Sequence, residues 1–207
     1  MPKIAMIGAG SVIFAKTLIH DVLTFPALKD STLSLMDIDA KKLKIIGAFA
    51  NRLVEQEGLP AKIETTIERG KALKNADYVI IMIQVGGLEA YKQDVYIPLK
   101  YGIDQCVGDT LGPGGVFRAL KTIPVFLDIC KDMRELCPKA LLLNYTNPMA
   151  MNCWALAEAG GVRYIGLCHG VQHTLKTLAA YIGAKPEEMN HWVAGINHMA
   201  WFPRPVI

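Results

Sequence analysis

The sequence predicts an α/β fold in which helices cover both faces of a doubly wound parallel sheet. Three observations support this: short apolar runs alternate with stretches of helical periodicity, the first run ends in a glycine-rich turn, and the second ends in an acidic residue. The chain has 207 residues, 52% of them hydrophobic, which suffices for one substantial core and the beginning of a second domain. We expect right-handed crossovers between the strands.

The first two strands are predicted from apolar runs that precede amphipathic helices. KIAMIGAG (residues 3–10) reaches glycine after a short apolar run, and the residues that follow it carry apolar side chains at helical spacing. STLSLMDID (residues 31–39) ends in acid, and a lysine-rich helix is expected over residues 40–57. Strand, turn and helix therefore occur twice in succession.

The later segments continue this alternation. KIETTI and ADYVIIMIQVGG predict the third and fourth strands, ALLLNYTNP a fifth after a helix over residues 119–136, and RYIGLC a sixth. A further helix is expected over residues 171–183, and HWVAGIN predicts one more strand. The pattern breaks down between Tyr91 and Arg118, and YGIDQCVGDTLGPGGVFRAL (residues 101–120) predicts a long loop that leads into a helix. Long loops after strand ends often belong to a functional site.

Composition and charge argue against several classes of partner. The 22 basic and 19 acidic residues are scattered, so no basic stripe indicates nucleic acid. No apolar run reaches the roughly 18 residues of a membrane-spanning helix, and the N-terminal run is too short for a signal peptide. The cysteines argue against a disulfide framework and a structural zinc site, because they are odd in number and form no Cys-x-x-Cys pair: Cys106, Cys130, Cys137, Cys153 and Cys168. We predict a soluble cytoplasmic protein.

The motif GAGSVIF (residues 8–14) predicts a dinucleotide site of the Rossmann-like type. Gly8 allows a tight turn, and Gly10 lets a pyrophosphate approach the backbone at a helix N-terminus. Ser11 adds a hydroxyl donor, and Ile13 stands where a third glycine is usual. We assign these residues to cofactor binding together with Val12. A tight strand-to-helix turn without a ligand is the alternative interpretation.

Two further residues extend the predicted nucleotide site. Asp37 lies 27 positions after Gly10, near the offset of roughly 20 residues at which a carboxylate binds the ribose hydroxyls. A carboxylate there would repel a 2′-phosphate, so NAD is favoured over NADP; a helix-capping role is the alternative. QVGG (residues 84–87) closes the fourth strand and places Gly86 where the ribose would pass, unless this segment forms a plain turn.

The later strand ends carry amide, thiol and imidazole groups. They are NYTNPMA (residues 144–150), GLCHGVQ (residues 166–172) and GINHMAW (residues 195–201). With GAGSVIF and MDID, these motifs resemble glycoside hydrolase family four, the NAD- and divalent-metal-dependent glycosidases. Cys-His in the CHG motif, together with NHMAW, is most similar to the α-galactosidase branch. The resemblance extends from Lys3 to about Phe202.

The resemblance implies roles for individual residues. It makes Cys168 and His198 the two protein ligands of a manganese ion, with sugar hydroxyls and water in the other positions; a buried cysteine and a core histidine are the alternative. It implies that Asn147 and Asn197 bind substrate near the metal. It also implies that Asp109, in VGDTLGPGG, contacts sugar hydroxyls, although turn chemistry equally explains an aspartate there.

The resemblance also implies a mechanism that differs from the two-carboxylate scheme of glycoside hydrolysis. NAD⁺ takes hydride from C3, the resulting ketone acidifies the C2 proton, and the C1 leaving group is eliminated. Water then adds and hydride returns to C3. His169 takes the place that other branches give to an aspartic acid acting as proton donor, which implies a catalytic and substrate-binding role for this histidine.

The resemblance finally implies a longer protein. We expect residues 1–167 to form the NAD-binding domain and residues 168–207 to begin a truncated substrate and metal domain, with the C2 base beyond Ile207. The chain by itself is then expected to bind NAD⁺ and to hydrolyse no glycoside, and the full-length protein is expected to be a homo-oligomer. Two alternatives stay open: an NAD-dependent 2-hydroxy-acid dehydrogenase, and a non-catalytic nucleotide-binding fragment.

Overall fold

Six strands form one parallel sheet in the order β3-β2-β1-β4-β5-β6. The structure is a computed structural model that describes residues 1–105, 107–108 and 110–203. In chain order, strands β1 to β6 are Lys3–Ile7, Thr32–Met36, Lys62–Thr66, Tyr78–Ile81, Leu141–Asn144 and Arg163–Gly166. The predicted doubly wound sheet is confirmed, and the strand order reverses between β1 and β4.

Helices connect the strands. In chain order, α1 to α7 are Val12–Thr24, Ala40–Gln56, Arg69–Leu73, Gly87–Leu99, Gly112–Leu136, Met149–Ala155 and Gly170–Ile182. The predicted helices that became α1, α2 and α7 are confirmed, whereas the short helices α3 and α6 are not indicated by the sequence pattern. Among the residues that the structure describes, no helix combines the length and the apolar character that crossing a membrane requires.

A separate apolar core lies on each face of the sheet. Met6 and Leu33 pack with Ile19 of α1 on one face, whereas Ile81 packs with Phe126 of α5 on the other; all five side chains are fully buried. Burying a side chain of this size contributes about 1.5–3 kcal/mol. Because helices cover both faces, the central strands are apolar on both sides, as is typical of parallel sheets.

The long loop expected over residues 101–120 is confirmed as far as Leu111, since every described residue from 101 to 111 lies outside helices and strands, but its second half is helical. Helix α4 extends to Leu99, and α5 already begins at Gly112. The sequence does not indicate the first turn of α5, because that turn is rich in glycine and glycine has a low intrinsic helix propensity. Gly114 and Gly115 are buried there, because backbone atoms of neighbouring segments, including Thr110, pack directly against them.

The strand predicted from HWVAGIN does not join the main sheet. Ala194–Ile196 (β7) pairs antiparallel with Met199–Trp201 (β8) in a separate hairpin. The turn between them contains His198 at a positive φ of 62°, a conformation that is uncommon for residues other than glycine and frequently marks a functional position. All six strand residues of the hairpin are exposed.

Candidate functional site

A cavity of about 820 Å³ opens at the carboxyl edge of the sheet, where the strand order reverses between β1 and β4. Ligands of doubly wound sheets bind at this topological position. The cavity is lined by six of the residues that the sequence predicts for a functional site: Gly8, Gly10, Ser11, Asp37, Gly86 and Asn147. The structure therefore brings five of the predicted nucleotide residues together in one place, namely Gly8, Gly10, Ser11, Asp37 and Gly86.

Steric contacts explain why the first turn needs two glycines. Gly8 has a φ of +87°, and a Cβ atom at this position would lie 2.6 Å from the carbonyl oxygen of Met82. A Cβ atom at Gly10 would lie 2.6 Å from Oδ2 of Asp37. The turn therefore packs tightly against the ends of β4 and β2, and any side chain there would displace its neighbours.

Asp37 lies just beyond the end of β2 and faces this turn. Its Oδ2 accepts a hydrogen bond from the Gly10 N–H at 2.7 Å, and its Oδ1 accepts one from the Asp39 N–H at 2.9 Å. The helix-capping role belongs to Asp39, whose carboxylate accepts hydrogen bonds from the Lys42 and Lys41 N–H groups; these bonds lower the pKa of the Asp39 carboxyl. Asp37 is consequently held at the cavity by the turn itself.

Val12 and Ile13 are placed differently from the other predicted cofactor residues. They begin helix α1, their side chains are 52% and 80% exposed, and neither lines the cavity. Phe14 does line it, with its ring centroid 6.4 Å from that of Tyr145. Burial raises the pKa of the Tyr145 hydroxyl. No motif in the sequence indicates this aromatic pair.

A buried polar network fixes the segment after β5. The side-chain oxygen of Asn144 accepts a hydrogen bond from the Thr146 N–H at 2.8 Å, and Oγ1 of Thr146 accepts one from the Ile83 N–H at 2.9 Å. The ends of β4 and β5 are thereby tied together. Arg118 Nε donates to the carbonyl oxygen of Asn147 at 3.1 Å. These contacts hold the predicted substrate residue Asn147 at the cavity edge.

Cys168 and His198 meet although they lie 30 positions apart. Cys168 follows β6, His198 lies in the β7–β8 turn, and the Sγ–Nε2 distance is 3.2 Å. Metal–thiolate and metal–imidazole bonds are about 2.0–2.3 Å long, so both atoms can reach one ion. The Gly170 N–H also donates to Sγ at 3.3 Å from the beginning of α7.

The chemistry of this pair fits a divalent transition metal, for which thiolate and imidazole are suitable ligands. Within the described ranges, no group of three or more histidine, cysteine or acidic side chains is arranged to hold an ion. In this part of the chain, the Cys168–His198 pair thus leaves coordination positions for other donors.

The remaining predicted residues differ in their placement. His169 is exposed, precedes α7 and does not line the cavity. Asn197 precedes His198 in the turn, and its buried Oδ1 has no hydrogen-bond partner within the described residues. Asp109 lies outside the described residues. Thr110 was not predicted, yet its Oγ1 lies 3.0 Å from Nδ1 of His198, a residue 88 positions away that no sequence spacing connects with it.

Comparisons with known proteins show the family of this chain. The model of the family described as "Family 4 glycosyl hydrolase" matches residues 3–184. The chain is 50% identical over 201 residues to an α-galactosidase of Rhizobium meliloti (strain 1021), covering 97% of this chain and 41% of that protein. It is 45% identical over 202 residues to an α-galactosidase of Bacillus subtilis (strain 168), covering 97% of this chain and 47% of that protein.

A solved structure is similar over the same region. It is the 6-phospho-β-glucosidase from Thermotoga maritima with manganese, NAD⁺ and glucose-6-phosphate, which matches with a TM-score of 0.87 at 27% identity and covers 100% of this chain and 49% of that chain. The chain thus spans about half the length of the relatives that it matches. Since the family model covers most of the residues, the chain belongs to glycoside hydrolase family 4.

Proposed function

We propose that this sequence provides the nucleotide- and metal-binding part of an α-galactosidase that depends on NAD and on manganese or another divalent cation. One observation carries the proposal: the Gly10–Asp37 cavity and the Cys168–His198 pair lie at the carboxyl edge of one sheet. The identities to two α-galactosidases favour the sugar, and the similarity to the Thermotoga maritima complex favours the cofactors.

In this proposal the glycine turn and Asp37 bind the nucleotide. The N-terminus of α1 offers free backbone N–H groups to a pyrophosphate next to Gly8 and Gly10. Asp37 accepts hydrogen bonds from the adenosine ribose and repels a 2′-phosphate. Ser11 and Gly86 line the same cavity, whereas Val12 and Ile13 would contribute through their backbone at the beginning of α1.

The proposal places the sugar beside Cys168 and His198, which would hold the divalent cation. When bound, the cation supplies a Lewis acid and NAD⁺ supplies a hydride acceptor. His169 would act as proton donor, because it follows a cation ligand directly in the chain. We assign the sugar contacts to polar residues of the neighbouring strand ends and loops: Asp109, Asn147, His169 and Asn197.

We extend the proposal to domain organisation, location and assembly. A boundary after residue 167 is supported by the small apolar cluster of Leu175, Ala179 and Met189, which is separate from the two cores of the sheet. A cytoplasmic location is supported by the cysteine usage of the sequence. For the full-length protein we propose a homo-oligomer, for which the exposed strand residues of the β7–β8 hairpin offer contact area.

A chimera tests the proposed activity. In the chimera, this chain replaces the matching segment of the Rhizobium meliloti α-galactosidase. The assay measures the release of nitrophenol from nitrophenyl α-galactoside with NAD⁺, Mn²⁺ and reductant, and each of the three is omitted in turn. We expect turnover only when all are present, and none in the Cys168→Ser chimera. Turnover without NAD⁺ or without a cation would contradict the proposal. Accumulation of NADH with malate or lactate, without any cation, would instead indicate a hydroxy-acid dehydrogenase.

A further inference from the structure

The imidazole of His198 is contacted at both of its nitrogen atoms. Nε2 lies 3.2 Å from Sγ of Cys168, and Nδ1 lies 3.0 Å from Oγ1 of Thr110. The strands on either side of the turn are exposed, so they offer little packing that would fix the ring. The tautomer matters here, because only a nitrogen without a proton can bind a cation.

Thr110 is buried and is held by the first turn of α5. The side chain of Gln105 clamps this region: its Nε2 donates to the carbonyl oxygen of Leu111 at 3.3 Å, and its Oε1 accepts from the Gly114 N–H at 3.0 Å. A Cβ atom at Gly115 would lie 2.7 Å from the carbonyl carbon of Thr110, which is therefore in direct contact with the helix. Thr110 is only 7% exposed.

We propose that Thr110 is a positioning residue for the metal site. Its Oγ1 accepts a hydrogen bond from Nδ1–H of His198, which leaves the lone pair of Nε2 directed towards the cation position beside Cys168. The inference deepens the proposed function, since it rests on the assignment of Cys168 and His198 as ligands. Metal-ligating histidines generally donate their second N–H to a carboxylate, a backbone carbonyl or water, and losing that acceptor typically costs about 10–100-fold in metal affinity; here the hydroxyl of Thr110 takes this place.

The first test needs no metal. The 207-residue chain is labelled with ¹⁵N-histidine, the His198 signals are identified by their loss in His198→Gln, and long-range ¹H–¹⁵N couplings give the tautomer of each imidazole. We expect the Nδ1–H tautomer in the wild type and in Thr110→Ser, and a loss of this preference in Thr110→Val. The control is Thr122→Val, which makes the same change at a buried threonine within α5 and should leave the His198 signals unchanged.

The second test measures metal affinity directly. Co²⁺ is titrated into the same variants, and the thiolate-to-cobalt absorption reports coordination by Cys168. We expect Thr110→Val to bind Co²⁺ about 10–100-fold more weakly, Thr110→Ser and Thr122→Val to bind like the wild type, and NAD⁺ affinity to be the same in all four proteins. Far-UV circular dichroism and thermal melting establish that each variant is folded.

The outcomes separate the two proposals. A wild-type chain with the Nε2–H tautomer, or a Thr110→Val variant that retains the wild-type tautomer and Co²⁺ affinity, would overturn the role of Thr110. Equal impairment of Thr110→Ser and Thr110→Val would also overturn it, because the serine retains the hydroxyl group. A wild-type chain that binds no Co²⁺ or Mn²⁺ would overturn the metal assignment itself, whereas the tautomer comparison would still decide whether Thr110 orients the ring.

Discussion

The carboxylate of Asp37 stabilises the glycine turn and also lines the cavity. It accepts hydrogen bonds from two backbone N–H groups, and one of them belongs to Gly10, whose lack of a side chain permits the contact. The acidic residue and the glycine therefore depend on each other. Replacing Gly10 would change the shape of the turn, whereas replacing Asp37 would change both the turn and the charge at the cavity.

Replacement of Asp37 by alanine is expected to reduce the preference for NAD⁺. The variant loses hydrogen bonds to the ribose and no longer repels a 2′-phosphate, so NAD⁺ should bind about tenfold more weakly while NADP⁺ binding changes less. Calorimetric titration with both nucleotides measures this. Asp77→Ala is the matched control, since Asp77 accepts a hydrogen bond from the Lys3 N–H at the opposite edge of the sheet. Equal affinities of the wild type for both nucleotides would remove Asp37 from this role.

The buried thiols of Cys130 and Cys137 should make stability depend on alkaline pH. Burial raises the pKa of each thiol from 9.0 to about 11. Between these values the folded chain keeps protons that the unfolded chain releases, so the free energy of unfolding decreases as pH rises. Urea denaturation at several pH values should therefore give a shallower decline for Cys130→Ala/Cys137→Ala than for the wild type. Identical pH slopes would contradict the prediction.

At the scale of elements, α4 and α5 are joined by contacts that local periodicity does not indicate. Lys121 of α5 donates to Oδ1 of Asp94 of α4 at 2.5 Å and to the carbonyl oxygen of Ala90 at 2.8 Å. Asp94 is only 2% exposed whereas the Lys121 side chain is 28% exposed, so removing Lys121 would leave an uncompensated buried carboxylate. Together with the glycines of α5, this ion pair fixes the first turn of α5 and the Thr110 segment beside it.

Gly115→Ala is expected to destabilise the chain, although alanine is the better helix former. The new Cβ atom would lie 2.7 Å from the Thr110 backbone, and overpacking of this kind typically costs about 1–3 kcal/mol. Gly70→Ala in α3 is the control, because its Cβ atom would lie 3.6 Å from the nearest side-chain atom of Leu136, an ordinary contact. Urea denaturation of both variants measures the difference. A Gly115→Ala chain as stable as Gly70→Ala would show that the contact relaxes without cost.

At the scale of the whole molecule, the candidate nucleotide and metal sites belong to different parts of one sheet edge. The cavity follows β1, β2, β4 and β5, whereas Cys168 follows β6 and meets the β7–β8 turn. The two parts are adjacent, since the Leu167 N–H after β6 donates to the carbonyl oxygen of Asn144 in β5 at 2.9 Å. Each ligand should therefore stabilise the chain through its own set of residues.

NAD⁺ and Mn²⁺ are expected to raise the melting temperature separately. A ligand present at 100 times its Kd stabilises the folded state by about 2.7 kcal/mol, which corresponds to a shift of several degrees for a chain of this size. Cys168→Ser should lose the shift caused by Mn²⁺ and keep the shift caused by NAD⁺. Gly8→Ala should lose the shift caused by NAD⁺ and keep the shift caused by Mn²⁺. Differential scanning fluorimetry at saturating ligand measures the melting temperatures of the wild type and both variants. Loss of both shifts in Cys168→Ser would contradict separate sites.

The sequence by itself determined the features that depend on local pattern. The alternation of apolar runs and helical periodicity predicted the six-stranded sheet, because strand burial and helix amphipathicity are properties of neighbouring residues. The glycine turn, Asp37 and the order of the later motifs likewise predicted where the cavity lies and which family the chain resembles. HWVAGIN contains a strand as predicted, and the loop before α5 is shorter than predicted. The hairpin that β7 forms and the helix that begins at Gly112 depend on which residues pack against them.

Only the tertiary structure decided how the separate motifs meet. The 3.2 Å approach of Cys168 to His198 and the 3.0 Å contact of Thr110 with the same ring join residues 30 and 88 positions apart. Gly115 is tolerated in a helix because the Thr110 segment lies against it. Such contacts arise from the placement of loops around a finished sheet, and sequence spacing carries no information about them because folding brings distant segments together through three-dimensional packing.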